Sequence, residues 1–193
     1  MLLRQILPAI LLIAQSGEAG QIQGVRNAPV TPLGMQRVVE LHGLWLSSGG
    51  SEGARADLRE ISLEGGVLSA QGRLLVGPLV LRDVNLSRAD IRFARLRNVD
   101  LSGADLSGTE FNNSDLERAM LAGANLSGAD FTDANLRGAV LKDANLSQAI
   151  LTNADLSGAD LGGALCVSRD QISSAIADSA TLLPEFEDCS DEP

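Results

Sequence analysis

The chain has 193 residues, which is enough for one domain with short terminal extensions. Aromatic residues make up only 3% of the composition and tyrosine is absent, so a conventional globular core is not expected. The formal net charge is −10 and the acidic residues become denser toward the C-terminus. Nucleic acid is therefore not expected as a partner for most of this surface.

Residues 1–19 are predicted to be a secretory signal peptide. A single arginine precedes a short apolar run from Ile6 to Ala14, and small residues allow cleavage after Ser16 or Ala19. The run is too short to span a bilayer, so no stable membrane span is expected. The pattern favours a periplasmic or secreted protein. The alternative is a cytoplasmic protein whose N-terminal helix lies on the rest of the domain.

Residues 20–50 are interpreted as a polar linker, 20–29, followed by a helix over 32–48. Thr31 and Pro32 are typical of a helix start, and Gly49-Gly50 is typical of a helix end. Apolar and aromatic residues recur between them at helical spacing, which predicts an amphipathic helix. These residues are Met35, Val38, Val39, His42, Trp45 and Leu46.

A tandem repeat of five residues runs without interruption from Leu79 to Gly163. The third position of each repeat is always Leu, Ile or Phe, the first is small or apolar, the second is mostly Asp or Asn, and the last two are turn formers. A period of five fits neither an α-helix nor a long strand. It predicts a chain that makes a short extended segment, turns and repeats, so that successive coils stack into a solenoid.

The same register is expected to begin earlier, at Leu58, Leu63 and Leu68, and to resume at Val76 after an irregular loop within 69–73. Three centres before the loop and eighteen from Val76 to Leu161 give twenty-one sides. The repeat domain is therefore assigned to residues 51–165.

The repeated pattern A-(D/N)-L-x-x resembles the pentapeptide repeat family. This resemblance implies an all-β solenoid, a right-handed four-sided β-helix with four repeats per coil and about five coils here. The segments LHGLWLSSGGSEGARADL and SRDQISSAIADSATLLP are similar to the capping helices of the family. The first cap is expected at about 32–48, the second at about 168–180 with Ser168 as its N-cap and Ile172, Ala175, Ile176 and Ala180 on its apolar side. Residues 166–193 then comprise this cap and an acidic tail.

Four repeats per coil predict three vertical stacks. Phe111 and Phe131 should lie one above the other in the core, between Ile91 and Leu151. A second stack, Asn113, Asp133 and Asn153, should follow one outer edge. The third stack, Met120 and Val140, occupies the slot that usually holds Asp or Asn and should point outward. Two interpretations of this small apolar pair remain open: an incidental surface feature, or a contact with a partner or a second copy.

The two cysteines, Cys166 and Cys189, predict a disulfide between the barrel end and the tail if the protein is exported. In the cytosol they would be free thiols, with Cys166 on the next inward position after Leu161. No catalytic constellation is visible, and the single histidine, His42, is expected to be structural. Two cysteines and one histidine are too few for a four-ligand zinc site. The chain is therefore predicted to be no enzyme and to have no catalytic residues, no metal and no cofactor.

The favoured function is a non-catalytic scaffold or protein-interaction module, exported, whose partner is another protein. The resemblance also implies an alternative, a cytoplasmic DNA mimic that binds gyrase or another topoisomerase. The acidic second half is compatible with mimicry, whereas the arginine-rich first coil and the export signal argue against it. The resemblance leaves two oligomeric states open, a monomer and a homodimer formed through the C-terminal cap.

Overall fold

The five-residue repeats build a solenoid of stacked coils in a computed structural model of the chain. The structure describes residues 20–23, 32–51, 54–58, 67–68, 74–75 and 80–186. Residues in the second position of the repeats form parallel bridges with residues twenty positions further along, for example Asp105 with Asn125 and Asn125 with Asn145. Twenty residues are four repeats, so each coil has four sides.

Each repeat makes one side of a coil and one corner. The first- and third-position side chains are buried along almost the whole stretch, and the fourth and fifth positions form the turn. All seventeen fifth-position residues from Asp83 to Gly163 have a positive φ. Glycine and asparagine tolerate that conformation, which explains their frequency at this position.

Neighbouring coils are joined by a regular ladder of backbone hydrogen bonds. In one rung the Leu106 N–H donates to the Asn125 carbonyl at 2.8 Å, and the Asn125 N–H donates to the Ala104 carbonyl at 2.9 Å. The core inside this ladder consists mainly of alternating alanine and leucine side chains and includes two phenylalanines. Phe111 and Phe131 are fully buried and stack on each other, as predicted.

The elements before the clean repeats differ from the expectation. Strand β1, Gly20–Gln23, pairs in parallel with β2, Ala54–Asp57, although residues 20–29 are predicted to be a linker. Helix α1, Pro32–Ser47, lies between them and matches the predicted helix 32–48. Strand β2 is hydrogen-bonded to the first coil: the Asp90 N–H donates to the Ala56 carbonyl at 2.9 Å.

The predicted five-residue register does not hold just before the clean stretch. Strands β3, Val67–Leu68, and β4, Leu74–Leu75, pair antiparallel, so the chain reverses direction between them instead of continuing a parallel coil. The loop predicted at 69–73 and the centres Leu63 and Val76 lie outside the described residues.

The C-terminal helix is shorter than the predicted 168–180. Helix α2 spans Arg169–Ser174, with Ser168 as N-cap in a capping box with Gln171, as the sequence indicates. After it the chain returns to the ladder: Ile176 bridges Asp155 and Leu182 bridges Asp160. The open edge of the last coil offers backbone donors and acceptors, and their hydrogen bonds replace the second half of the predicted helix. In this described part of the chain, neither helix has the length and apolar character needed to cross a membrane.

Candidate functional site

The second position of the repeats has a definite local role. Of its seventeen residues from Val80 to Asp160, eleven are Asp or Asn, and in each of these a side-chain oxygen accepts a hydrogen bond from the backbone N–H two residues later. Asx turns of this kind stabilise the corner that follows. The preference for Asp and Asn is therefore explained by backbone geometry, without a ligand.

The remaining six second-position residues cannot make this turn bond. They are Val80, Arg95, Glu110, Met120, Val140 and Ile150. Three of them, Val80, Met120 and Val140, belong to one face, whose bridged stack is Val80, Asp100, Met120, Val140, Asp160 and Leu182. We call this stack the Met120 face. Its departures from the Asp/Asn pattern make it the candidate contact surface of the barrel.

Met120 and Val140 are bridge partners on adjacent coils, and both side chains are half-buried. The fourth-position residues beside them are the half-buried Ala122 and the exposed Lys142. On the other side of Met120, Asp100 is almost fully buried and bonds to the Arg82 guanidinium. The structure thus brings the two predicted residues together, on a face with both apolar and charged groups.

Other charged side chains pair along the barrel. On one face Arg97 contacts Asp115 at 2.6 Å and Glu117 at 3.0 Å. Two coils further along the same face, Arg137 contacts Asp155 at 3.1 Å. These pairs are partly exposed, and such pairs contribute little to stability individually. Their effect on the surface is larger, because each arginine offsets neighbouring acidic charge.

Near the N-terminal end, Glu110 links β2 to the barrel. Its carboxylate contacts Arg55 of β2 at 2.7 Å and Arg92 of the first coil at 3.2 Å. Sequence reasoning missed this contact because Arg55 and Glu110 lie 55 positions apart.

His42 of α1 is buried and fixes the helix to the first coil. Its Nε2 lies 2.7 Å from the Ser87 carbonyl oxygen, and its Nδ1 accepts the Ala56 N–H at 3.0 Å. Its ring stacks on Trp45, with centroids 5.6 Å apart. Burial lowers the pKa of His42, the bond to Ser87 opposes this, and the positive charge of Arg55 lowers it further. The neutral ring is thus held between a donor and an acceptor, which is a structural role.

Cys166 does not occupy the inward position predicted for it. The residue has a φ of 56° and is half-buried, whereas the next residue, Val167, is fully buried. The positive φ turns the chain early, so that Val167 points into the core instead. Cys166 is part of a disulfide. Its predicted partner, Cys189, lies outside the described residues, and their pairing stays a prediction.

The other predicted stack is present on an outer edge. Asn113, Asp133 and Asn153 all have positive φ, and the Asn153 amide donates to the Asp133 carboxylate at 3.1 Å. In the part of the chain that the structure describes, no group of three or more His, Cys, Asp or Glu residues could hold a metal ion.

Comparison with known proteins gives this architecture a family. The model of the pentapeptide repeats matches in eight copies, over residues 80–103, 100–138 and 124–165. A solved pentapeptide repeat protein from the Arabidopsis thaliana thylakoid lumen is 32% identical, with 48% of this chain and 68% of that chain covered and a TM-score of 0.40. The chain belongs to the pentapeptide repeat family.

Two further solved structures show more distant similarity. A pentapeptide repeat protein from the cyanobacterium Cyanothece 51142 is 23% identical, covering 68% of this chain and 88% of that chain with a TM-score of 0.49. Trypsin-treated QnrB1, a plasmid-mediated fluoroquinolone resistance protein, is 16% identical, covering 63% and 77% with a TM-score of 0.19. The comparison with curated protein sequences found no match.

Proposed function

We propose that the chain is a non-catalytic pentapeptide-repeat scaffold that binds another protein through Met120 and Val140, and that it acts outside the cytoplasm. The observation that carries this proposal is the loss of the Asx turn at two adjacent rungs of one face. At eleven of the other fifteen second positions from Val80 to Asp160, the side chain stabilises its own corner. The absence of this bond on two neighbouring coils is best explained by a contact between these side chains and another protein.

The energetic argument supports a contact surface. Each turn bond contributes about 0.5–1.5 kcal/mol, and Met or Val in its place leaves apolar surface half-exposed. Beside them, Ala122 and Gly123 project little, which gives a partner close access to the Met120 face. Adjacent apolar side chains that remain partly exposed are a feature of protein contact sites.

The domain layout is part of the proposal. Residues 1–19 would be removed as a signal peptide, α1 would cover the N-terminal end of a barrel of about five coils, and the segment containing α2 would cover the other end. The contacts of His42 with Ser87 and of Gln171 with the Leu146 and Ala149 carbonyls support the two covering roles. Both contacts satisfy backbone groups at the barrel ends.

Export is supported by the disulfide state of Cys166, since disulfides persist in oxidising compartments and are rare in the cytosol. The test is the intact mass of the protein from fractionated native cells, with and without reductant and alkylation. We expect a periplasmic or secreted species that lacks about 16 to 19 residues and gains about two mass units on reduction. A full-length cytosolic species with two alkylatable thiols would refute export and the Cys166–Cys189 bridge together.

The contact surface is tested by site-specific photo-crosslinking in native cells. A photoreactive side chain replaces Met120 or Val140 in one set of variants, and Asn125 or Asn145 on the adjacent face in the matched control set. We expect one discrete crosslinked protein from the first set only. Equal crosslinking from both sets would show that the Met120 face is not the contact surface.

The alternative, a DNA mimic that binds gyrase or another topoisomerase, requires a dense row of anionic charge like that of a duplex. Arg97 and Arg137 offset the acidic residues Asp115, Glu117 and Asp155 on one face, which weakens such a row. Gyrase supercoiling and its poisoning by quinolones, measured with excess purified protein, should be unchanged. Inhibition of supercoiling or protection from quinolones would favour the alternative.

A further inference from the structure

We propose that copies of this chain associate head to tail, with the N-terminal end of one rod against the C-terminal end of the next. This contact goes beyond the proposed scaffold function and uses different residues from the Met120–Val140 pair. The inference depends on where the exposed apolar side chains lie and on the charge at the two ends.

Large exposed apolar side chains are confined to the two ends of the described rod. At the N-terminal end they are Leu44, Val80 and Phe93, and at the C-terminal end they are Ile150, Leu165, Ile176, Leu182 and Leu183. Between residues 98 and 149 the described surface has none. A middle stretch without large exposed apolar side chains, between two ends that have several, indicates contacts at the ends.

The C-terminal side chains form a collar, because every one of the four stacks ends in one of them. The last bridges are Asp130 to Ile150, Asn145 to Leu165, Asp155 to Ile176 and Asp160 to Leu182. In each stack an Asp or Asn is followed by an apolar residue that is 46–58% exposed. The change occurs at the same end on all four sides, although these sides differ in sequence elsewhere.

At the N-terminal end, Phe93 combines exposure with backbone strain. Its side chain is 54% exposed and its φ is 60°, a conformation that bulky residues rarely adopt. The same edge continues with Asn113, Asp133 and Asn153, residue types that tolerate this φ better. An exposed aromatic ring on a strained backbone is consistent with a residue that inserts into an interface.

Charge decides how the ends pair. Residues 80–98 contain five arginines and two aspartates, and the side chains of Arg88 and Arg95 are exposed. The described residues 150–186 contain five acidic residues and one arginine. A tail-to-tail homodimer would bring two acidic ends together, and a head-to-head contact would bring two arginine-rich coils together. Head-to-tail pairing is the arrangement in which opposite charges meet, and it generates an open chain of subunits.

The test is sedimentation velocity of the full chain over a wide range of concentration at about 0.15 M salt. Three double variants replace apolar residues with asparagine, which the repeat pattern accepts at each position. The head variant is Val80→Asn with Phe93→Asn, the tail variant is Ile150→Asn with Leu165→Asn, and the matched mid-rod control is Met120→Asn with Val140→Asn. Circular dichroism verifies that each variant is folded.

We expect the unmodified chain and the mid-rod control to associate as concentration rises, and each end variant alone to associate at least about tenfold more weakly. An equimolar mixture of head and tail variants should recover a dimer, because each contributes one intact end. A chain that remains monomeric to its solubility limit would overturn the proposal. A head variant that still dimerises alone would also overturn it, because that result indicates tail-to-tail pairing. A mid-rod control that loses association would do the same, because that result indicates pairing through Met120 and Val140.

Discussion

The rings of Phe111 and Phe131 lie 4.8 Å apart, centroid to centroid, with their planes within 1° of parallel. This separation equals the distance of about 4.7–4.9 Å between hydrogen-bonded strands. The coil spacing therefore imposes the stacking: two identical residues twenty positions apart occupy equivalent places on successive coils. Both rings are fully buried in a core made mostly of leucine and alanine.

Phe131→Ala should lower the free energy of unfolding by about 3–5 kcal/mol, because a narrow solenoid cannot collapse around the lost ring. Phe131→Leu should cost less, since leucine occupies the same position in most repeats. Denaturant unfolding of Phe111→Leu, Phe131→Leu and the double variant measures the coupling between the rings, expected at about 0.5–1.5 kcal/mol. Additive effects of the two single changes would show that the rings contribute only through burial.

The Asx turns predict opposite effects of changes at neighbouring faces. Asn125→Ala removes the acceptor of the Ser127 N–H and the donor to Asp105, and should cost about 1–2 kcal/mol. Met120→Asn supplies a turn acceptor where none exists and should raise stability by about 0.5–1 kcal/mol. Thermal unfolding measures both, with Asn125→Asp as the control that keeps the acceptor. A Met120→Asn chain less stable than the unmodified one would mean that packing of the methionine outweighs the turn bond.

Acid should weaken the attachment of α1. The pKa of His42 is lower in the folded protein than in the unfolded chain, because its burial disfavours the charged ring. Its contribution to stability is therefore fully present above the unfolded pKa of about 6.5 and is lost as the pH falls from there toward the folded pKa. The chain has a single tryptophan, Trp45, which stacks on His42, so its fluorescence reports this step directly.

The control for this experiment is His42→Gln, which keeps hydrogen-bonding groups but does not titrate. Denaturant unfolding between pH 8 and pH 5 should lose its pH dependence in this variant. Asp100, Asp130 and Asp155 are among the aspartates with a lowered pKa: burial raises each pKa, and hydrogen bonds from Ser102, Thr132 and Ser157 outweigh it. Their stabilisation is lost only below about pH 4, so the two transitions are separable. A fluorescence change at pH 4 alone would contradict the role of His42.

Gln171→Ala should destabilise the last coil selectively. The Gln171 side-chain amide donates to both the Leu146 and Ala149 carbonyls at 2.9 Å, and its oxygen accepts the Ser168 N–H at 2.7 Å. Loss of these bonds should cost about 1–3 kcal/mol. Hydrogen exchange should accelerate beyond residue 146 and remain unchanged in the first coils, because each coil contacts only its neighbours. Ser173→Ala, an exposed position of the same helix, is the matched control and should leave exchange unaltered.

The sequence was sufficient to predict the repeats, the buried first and third positions, the phenylalanine stack and the N-cap at Ser168, because these depend on interactions within a repeat or at a fixed spacing of twenty residues. It was not sufficient where unrelated segments meet. The end of α2 at Ser174 depends on ladder bonds that Ile176 makes with the last coil, and the inward place of Val167 depends on one backbone angle at Cys166. The antiparallel pairing of Val67–Leu68 also breaks a register that the leucine spacing favours.

From Val80 to Leu165 every bridge of the ladder joins residues twenty apart, so each coil adds the same length to the barrel. Insertion or removal of one complete coil would move the two ends apart or together by about 4.8 Å while each remaining coil keeps an equivalent neighbour. Alanine and leucine in the core make most coils interchangeable, whereas Phe111 and Phe131 must be kept or removed as a pair. The addition or removal of whole coils thus changes the distance between the ends in equal steps and leaves the packing of the core unchanged.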